Sequence, residues 1–210
     1  MELSQEISNL IEEIKTRDHL ILFYDTEERK RSVLFPYLKD GLLNNKGVIY
    51  ICSDETPEQI REGLKTYVAI QPEEFTDKIK ISTCEEWYIR DAGAEPLRVI
   101  NKWIKAYQYF DERGLGLRVM GETSCFFRND LVRELMRYEY ALHRILNIPM
   151  DAICSYNLRT IVDTGYTDVI MPLIRAHGKA LFLAHGGSMV IEPEHVEDTD
   201  IEKLLEIDIN

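Results

Sequence analysis

The sequence predicts an α/β fold, a three-layer α/β/α sandwich built around a mostly parallel sheet. Three observations predict it: apolar strand-like segments alternate with longer helical segments, one helix has a well-defined start, and only Gly186-Gly187 separate the last two strand-like segments. Alternation of this kind is typical of βαβ units, whose strands lie parallel. Two strands joined by a glycine pair form a hairpin, so the chain is expected to end its sheet in a C-terminal β-hairpin.

The first half of the chain gives three strands and two helices. HLILFYD is a continuous apolar run, the next segment places leucines on one side of a helix, and Thr56 and Pro57 supply an N-cap and a first helical residue. The predicted strands are 19–25, 47–53 and 78–86, and the predicted helices are 27–45 and 56–67.

The second half continues the alternation and closes with the hairpin. Two long amphipathic segments flank LGLRVMGE, and PMDAICSYN follows them as a further apolar strand. The predicted helices are 95–112, 129–147 and 167–176, and the predicted strands are 115–122, 149–157, 179–185 and 188–193. We expect one domain over 17–193, preceded by an amphipathic helix over 1–16 and followed by an acidic tail over 194–210.

Composition narrows the classes of function. The 210 residues are 45% hydrophobic and 30% charged, with a net charge of −12 and a pI near 4.9. This acidity disfavours direct binding to nucleic acid or to anionic membranes. The sequence contains no apolar run of membrane-spanning length, and its start does not resemble a signal peptide. We therefore expect a cytoplasmic protein whose four cysteines are free thiols.

Cysteines, acidic residues and aromatic residues recur where predicted strands end. Ligands of parallel α/β sheets bind beyond the carboxyl ends of the strands, so we expect the functional site there. An apolar pocket with a few polar groups is typical of small-molecule sites. The candidate ligand-binding residues are Tyr24, Cys52, Glu55, Trp87, Glu122, Cys125, Cys154 and Tyr156. In this arrangement Glu122 would orient the polar end of the ligand.

The first strand, turn and helix resemble the opening of a RecA- or KaiC-like ATPase, but the phosphate-binding loop is missing. A working P-loop wraps phosphates with glycine-rich backbone and an adjacent Lys-Ser/Thr pair. Here the turn reads YDTEERKRSVLF, without glycine and with Asp25, Glu27 and Glu28 where phosphates would lie. Carboxylates at this turn would repel a triphosphate, which disfavours ATP hydrolysis.

Several motifs, in order, resemble the MEDS domain, a sensory domain of methanogens, methylotrophs and the regulator DcmR. They are HLILFYDTEER, GLLNNKGVIYICSDETPEQI, STCEEWYIRDAG, LRVMGETSCFF, LVRELMRYEYALHRIL, MDAICSYNLRTI and LIRAHGKALF, between residues 17 and 183. The resemblance implies a RecA/KaiC-related fold with a degenerate P-loop, binding of a small hydrocarbon derivative, and signalling through a partner such as a histidine kinase or transcription regulator, or through a homo-oligomer. The chain departs from the family pattern at Thr123, Cys125 and Asn157.

Other interpretations remain beside this non-catalytic sensor. Cys52 and Cys154 would serve a metal or thiol-redox sensor, although no CxxC or CxxH spacing announces a metal site, and we assign no metal or cofactor. A degenerate nucleotide-binding subunit is a second alternative. His19 and His177, at strand starts, are expected to be structural. Ser124 lacks the G-x-S-x-G elbow of a hydrolase, so we do not expect an enzyme.

Overall fold

A seven-stranded sheet forms the centre of the protein in the computed structural model, which describes residues 19–89, 93–177, 179–185 and 187–191. The strands are β1 His19–Tyr24, β2 Lys46–Cys52, β3 Ile79–Thr83, β4 Gly116–Glu122, β5 Met150–Asn157, β6 Lys179–Ala184 and β7 Gly187–Ile191. Their spatial order is β3-β2-β4-β5-β1-β6-β7. Every neighbouring pair is parallel except β6 and β7, which form the predicted antiparallel hairpin.

Helices cover both faces of this sheet. They are α1 Glu27–Leu43, α2 Pro57–Val68, α3 Cys84–Tyr88, α4 Pro96–Asp111, α5 Ser124–Arg128, α6 Val132–Arg144, α7 Leu158–Asp163 and α8 Ile170–Ala176, with 3₁₀ turns at Pro72–Phe75 and Thr167–Val169. Within the described ranges, none of the helices is both long enough and apolar enough to cross a membrane.

The sheet separates two cores because successive side chains of a strand point to opposite faces. Leu20, Leu22 and Tyr24 of β1 pack with α1 and α2 on one face, which we call the α1 face. Ile21 and Phe23 pack with α4, α6 and α8 on the other, which we call the α6 face. The predicted three-layer α/β/α sandwich is therefore confirmed.

The long elements agree with the sequence prediction to within a few residues, and the differences are local. The third strand was predicted to run to residue 86, but it ends at Thr83 and a short helix follows. Thr83 and Glu86 form a capping box, in which each side chain accepts a backbone N–H of the other, and this starts α3. The predicted helix over 1–16 and tail over 194–210 lie outside the described residues and stay predictions.

Candidate functional site

Four neighbouring strands deliver polar side chains to the carboxyl end of the sheet, where the parallel strands stop. Tyr24, Cys52, Glu122 and Asn157 are the last residues of β1, β2, β4 and β5. The segment after β2 adds Glu55, and the first turns of α1 add Lys30. The site predicted at this end therefore contains a dense set of charged groups.

A buried lysine lies at the centre of these charges. Lys30 is fully buried, and its ammonium group contacts Glu122 Oε1 at 2.8 Å, Glu55 Oε2 at 3.0 Å and the carboxylate of Glu27. Arg31 binds the same Glu55 carboxylate through two nitrogens. We refer to Glu27, Lys30, Arg31, Glu55 and Glu122 as the Lys30 network.

Glu122 is held by hydrogen bonds as well as by the lysine. Its fully buried carboxylate accepts the Tyr50 hydroxyl at 2.6 Å and the backbone N–H groups of Ser53 and Asp54 at 2.8 and 3.0 Å. These hydrogen bonds and the ion pair with Lys30 offset the cost of burying the carboxylate. The glutamate predicted to orient a ligand is thus committed to groups of the protein itself.

Electrostatics of the network follow from burial and pairing together. Burial lowers the pKa of Lys30, but Glu122, Glu27 and Glu55 outweigh it and raise that pKa well above its ordinary value. Burial raises the pKa of Glu27 to about 7, against the opposing effect of Lys30. Lys30 is therefore charged at neutral pH, and the neighbouring carboxylates balance its charge.

Asp54 forms a second centre beside the first. Its carboxylate accepts hydrogen bonds from Tyr24 at 2.8 Å, Asn157 at 2.9 Å, Ser124 at 3.1 Å and Arg128 at 2.6 Å. Burial raises the pKa of Asp54, but the hydrogen bonds from Asn157, Arg128 and Tyr24 outweigh it and leave that pKa below its usual value. The side-chain amide of Asn157 is thus a donor to Asp54.

The eight candidate residues do not form one pocket, because they divide between the two faces of the sheet. Those near the α1 face or the Lys30 network are Tyr24, Cys52, Glu55 and Glu122. Those in the core of the α6 face are Trp87, Cys125, Cys154 and Tyr156. Strand-end position brings residues to the same end of the sheet, and strand alternation then separates them.

The cysteines differ from the expectation of four free thiols. A disulfide joins Cys84 and Cys125, whose Cα atoms are 6.1 Å apart, so the prediction was wrong for this pair. Cys84 is the first residue of α3 and Cys125 the second residue of α5, the short helices that follow β3 and β4. Cys52 and Cys154 are free and buried. Burial raises the pKa of Cys52 to about 12, so its thiol is protonated and unreactive at neutral pH.

We also expected Cys154 near the carboxyl end of the sheet, but it lies three residues before the end of β5. It lies within β5, in register with Ile21 of β1, and its Sγ is 2.8 Å from Nε2 of His19. His19 and His177 do stand at the strand starts, as expected, but they meet Cys154 and Glu139 beneath the sheet. We call His19, Glu139, Cys154 and His177 the histidine–cysteine cluster, since their donor atoms all lie within 4.8 Å of one another and can hold one metal ion.

Sequence reasoning missed both the pairing partners in the Lys30 network and the whole histidine–cysteine cluster. The available signal was Glu139, which follows Leu135 by four residues and therefore shares the apolar side of α6. A fully buried glutamate on a helix is rarely left without a specific partner. Burial raises the pKa of Glu139 to about 7, which reflects its apolar surroundings.

A cavity of about 540 Å³ lies away from these two groups, between the β3 edge of the sheet and α4. Trp87 is the candidate residue that lines it, together with Ile49, Ile79 and Phe110. The ammonium groups of Lys80 and Lys102 lie 5.2 and 5.3 Å from the Trp87 ring centre. The lining also includes Lys105 and the acidic residues Asp77 and Glu86, so apolar and charged side chains both face the cavity.

These features can be compared with known proteins. The model of the MEthanogen/methylotroph, DcmR Sensory domain, abbreviated MEDS, matches residues 18–177. This chain belongs to the MEDS family. MEDS is a family of sensory domains, so the match gives the chain a sensory role in general terms. A comparison with curated proteins found no match.

Solved structures similar to this MEDS chain share its RecA/KaiC-like fold. The flagellar accessory protein FlaH of Methanocaldococcus jannaschii has a TM-score of 0.57 and 14% identity, with 92% of this chain and 86% of that chain covered. The KaiC-like protein PH0186 of Pyrococcus horikoshii OT3 has a TM-score of 0.57 and 10% identity, covering 87% and 81%. Protein PH0321 of P. horikoshii, solved with an unknown peptide, has a TM-score of 0.61 and 13% identity, covering 92% and 91%.

Proposed function

We propose that this MEDS domain is a non-catalytic sensor that binds a small, largely apolar molecule in the cavity beside Trp87 and signals through a partner protein or through self-association. The observation that carries the proposal is the cavity itself, whose volume of about 540 Å³ falls within the usual range for small-molecule sites. Its apolar side chains would supply most of the binding free energy, and its three lysines, which outnumber its two carboxylates, would favour a ligand with an acidic or strongly polar end.

The Lys30 network supports a non-nucleotide ligand. A phosphate group that approached Lys30 would have to displace Glu55 or Glu122, and both carboxylates have further partners in the protein. Their negative charge would also repel the phosphate. A ligand in the cavity beside Trp87 would not have to displace these carboxylates, so binding there would cost less free energy than binding at the Lys30 network.

Binding can be tested with hexanoate and hexanol, two probes that share an apolar chain and differ in the charge of the polar end. The ring centres of Trp87 and Trp103 are 4.5 Å apart. A probe bound beside Trp87 is therefore expected to change the intrinsic tryptophan fluorescence. Ala106→Phe, which fills the cavity from α4, should abolish the change. Val162→Phe, which places the same phenyl ring at an exposed position outside the cavity lining, is the control.

The proposal predicts saturable binding in the wild type and in Val162→Phe, with hexanoate stronger than hexanol because of the lysines. Equal responses of Ala106→Phe and wild type would show that the probes bind elsewhere and would contradict this placement of the ligand. Absence of any response to both probes in the wild type would count against an apolar ligand of this size.

A second candidate function is thiol-redox sensing, and the Cys84–Cys125 disulfide favours it. Reduction would release α3 from α5, and α3 carries Trp87 at the cavity. In reducing compartments, disulfides are usually transient, catalytic or redox-sensing. Titration with glutathione redox buffers, followed by tryptophan fluorescence, should give a reversible transition that Cys84→Ser lacks. A fluorescence signal unchanged across the titration, with thiol alkylation proving reduction, would contradict the idea.

A further inference from the structure

The histidine–cysteine cluster brings together four metal-binding side chains from distant parts of the chain. His19 begins β1, Cys154 lies in the adjacent β5, Glu139 projects from α6, and His177 follows α8. All four meet on the α6 face of the sheet, away from the residues that line the cavity beside Trp87. The site is thus independent of the proposed small-molecule ligand.

Two donor atoms in this cluster are buried without a hydrogen-bond partner. They are Glu139 Oε2 and His177 Nε2, which lie 3.6 Å apart, and both side chains are fully buried. Buried polar atoms are seldom left unpaired, because each has lost its hydration without gaining a hydrogen-bond partner. Because both atoms belong to the same group of metal-binding side chains, a cation between them would satisfy both at once.

The surrounding hydrogen bonds orient these donors as a metal site requires. His177 Nδ1 lies 2.7 Å from the carbonyl oxygen of Leu173, so the tautomer with a proton on Nδ1 donates there and leaves the Nε2 lone pair facing the cluster. Tyr156 donates its hydroxyl to Glu139 Oε1 at 2.6 Å, which leaves Oε2 as the ligand atom. Metal-bound histidines and carboxylates usually have such supporting partners.

We propose that His19, Glu139, Cys154 and His177 form a four-coordinate binding site for one divalent transition-metal ion, with Zn²⁺ as the best match. Two imidazoles, one thiolate and one carboxylate are ligands that zinc accepts in tetrahedral sites. With zinc–ligand bonds of about 2.0 to 2.3 Å, the donor atoms of a tetrahedral site lie roughly 3.3 to 3.6 Å apart. The cluster, within 4.8 Å throughout, reaches that spacing by small side-chain movements.

Charge balance fits a dication. The thiol proton of Cys154 leaves to solvent as the metal–sulfur bond forms, and the resulting thiolate and the Glu139 carboxylate neutralise two positive charges. The ion would join α6 and α8 to the two central strands β1 and β5. His19 is partly exposed as a residue, whereas Glu139, Cys154 and His177 are buried.

The full chain is purified with a removable tag that contains no histidines, because a histidine tag would itself bind metal. Elemental analysis after dialysis should find one zinc per chain. After removal by a chelator, Co²⁺ should restore one equivalent and give tetrahedral visible bands with a thiolate-to-cobalt charge-transfer band. X-ray absorption at the zinc edge of the wild-type protein should show one sulfur and three nitrogen or oxygen neighbours.

Variants assign the ligands. Cys154→Ser should lose the charge-transfer band and at least about 100-fold in cobalt affinity, whereas Cys52→Ser, which removes the other free buried thiol, should keep both. Tyr156→Phe removes a positioning residue, so the spectrum should stay while affinity falls about 10- to 100-fold. The absorption measurement needs no variant, so it decides the matter even if Cys154→Ser does not fold.

Wild-type protein that binds neither zinc nor cobalt stoichiometrically would overturn the proposal. A bound metal without a sulfur neighbour, or one lost in Cys52→Ser and kept in Cys154→Ser, would overturn this ligand set. Hexanoate binding is measured on the same metal-free and metal-loaded samples. Failure of the metal site would leave that binding unchanged, so the two proposals fail separately.

Discussion

Lys30 is the residue that holds the buried charges at the carboxyl end of the sheet together, because it pairs with three carboxylates. Burying an unpaired ammonium group is very costly, and here three carboxylates compensate it. The same carboxylates would repel a phosphate group that approached Lys30. Interactions of this kind are strongly coupled, so they are best probed by removing the partners singly and together.

Lys30→Met should destabilise the protein by about 3 to 5 kcal/mol, because it leaves Glu122 buried without its cation and leaves Glu55 with Arg31 alone. The double variant Lys30→Met/Glu122→Gln should be less destabilised than the sum of the two single variants. Urea denaturation of the four proteins measures this difference. Additive free energies would mean that Lys30 and Glu122 do not depend on each other.

Glu27 gives the network a pH dependence. Its pKa in the folded protein, about 7, lies above its ordinary value of 4.5, so folding favours the protonated form. The contribution of Glu27 to the free energy of unfolding is therefore present below about pH 4.5 and is lost as pH rises towards 7. Because the side chain is 37% exposed, solvent screening should limit the change to about 1 kcal/mol.

Glu27→Gln should accordingly be more stable than the wild type near pH 8 by up to about 1 kcal/mol, with a smaller difference near pH 5. Glu28→Gln, at the exposed neighbouring position, is the control and should show no such trend. Urea denaturation at the two pH values measures both variants. A difference that grows as the pH falls would contradict the assigned direction of the pKa shift.

At the scale of elements, the strands and long helices could be predicted because they are long apolar or amphipathic runs. The short helices α3, α5 and α7, of five or six residues, have too few turns for periodicity to show. They matter for the site because α3 and α5 carry the two disulfide cysteines. The sequence patterns predicted where the strands end. They did not predict which side chains from different strands contact one another.

The histidine–cysteine cluster illustrates that limit. His19 and Cys154 are 135 residues apart in the chain and become neighbours only because β1 pairs with β5. Strand order in a parallel sheet is set by crossover helices and their packing, which single-sequence patterns do not specify. Glu139 alone carried a visible signal, as a carboxylate on the apolar side of its helix.

The packing of α4 on β2 gives a prediction for a single position. A Cβ atom at Gly47 would overlap the ring of Phe110, which is fixed in the core. Gly47→Ala should therefore cost at least about 1 to 3 kcal/mol of stability. Gly116→Ala, in the adjacent β4, meets only the Lys46 side chain at 3.5 Å and should cost less. Equal losses in thermal unfolding would contradict the close approach of Phe110 to β2.

At the scale of the whole molecule, the chain has a RecA/KaiC-like sheet, and paired charges of the protein itself lie at the carboxyl end of that sheet. Fold alone does not determine function, and the identity of the side chains at the site decides here. On our proposals, the cavity beside Trp87 binds a small molecule and the histidine–cysteine cluster binds a metal ion. Both lie on the α6 face of the sheet, opposite α1 and the buried Lys30.

The most direct test of this account is the thermal unfolding of the protein with and without Mg²⁺ and ATP. If the Lys30 network replaces the phosphate site, saturating Mg-ATP should leave the unfolding temperature unchanged, as should Mg-ADP. A nucleotide bound at 100 times its dissociation constant would instead stabilise the protein by about 2.7 kcal/mol, a readily measured rise. Such a rise, saturating with ATP concentration, would contradict the account and return the protein to the nucleotide-binding class.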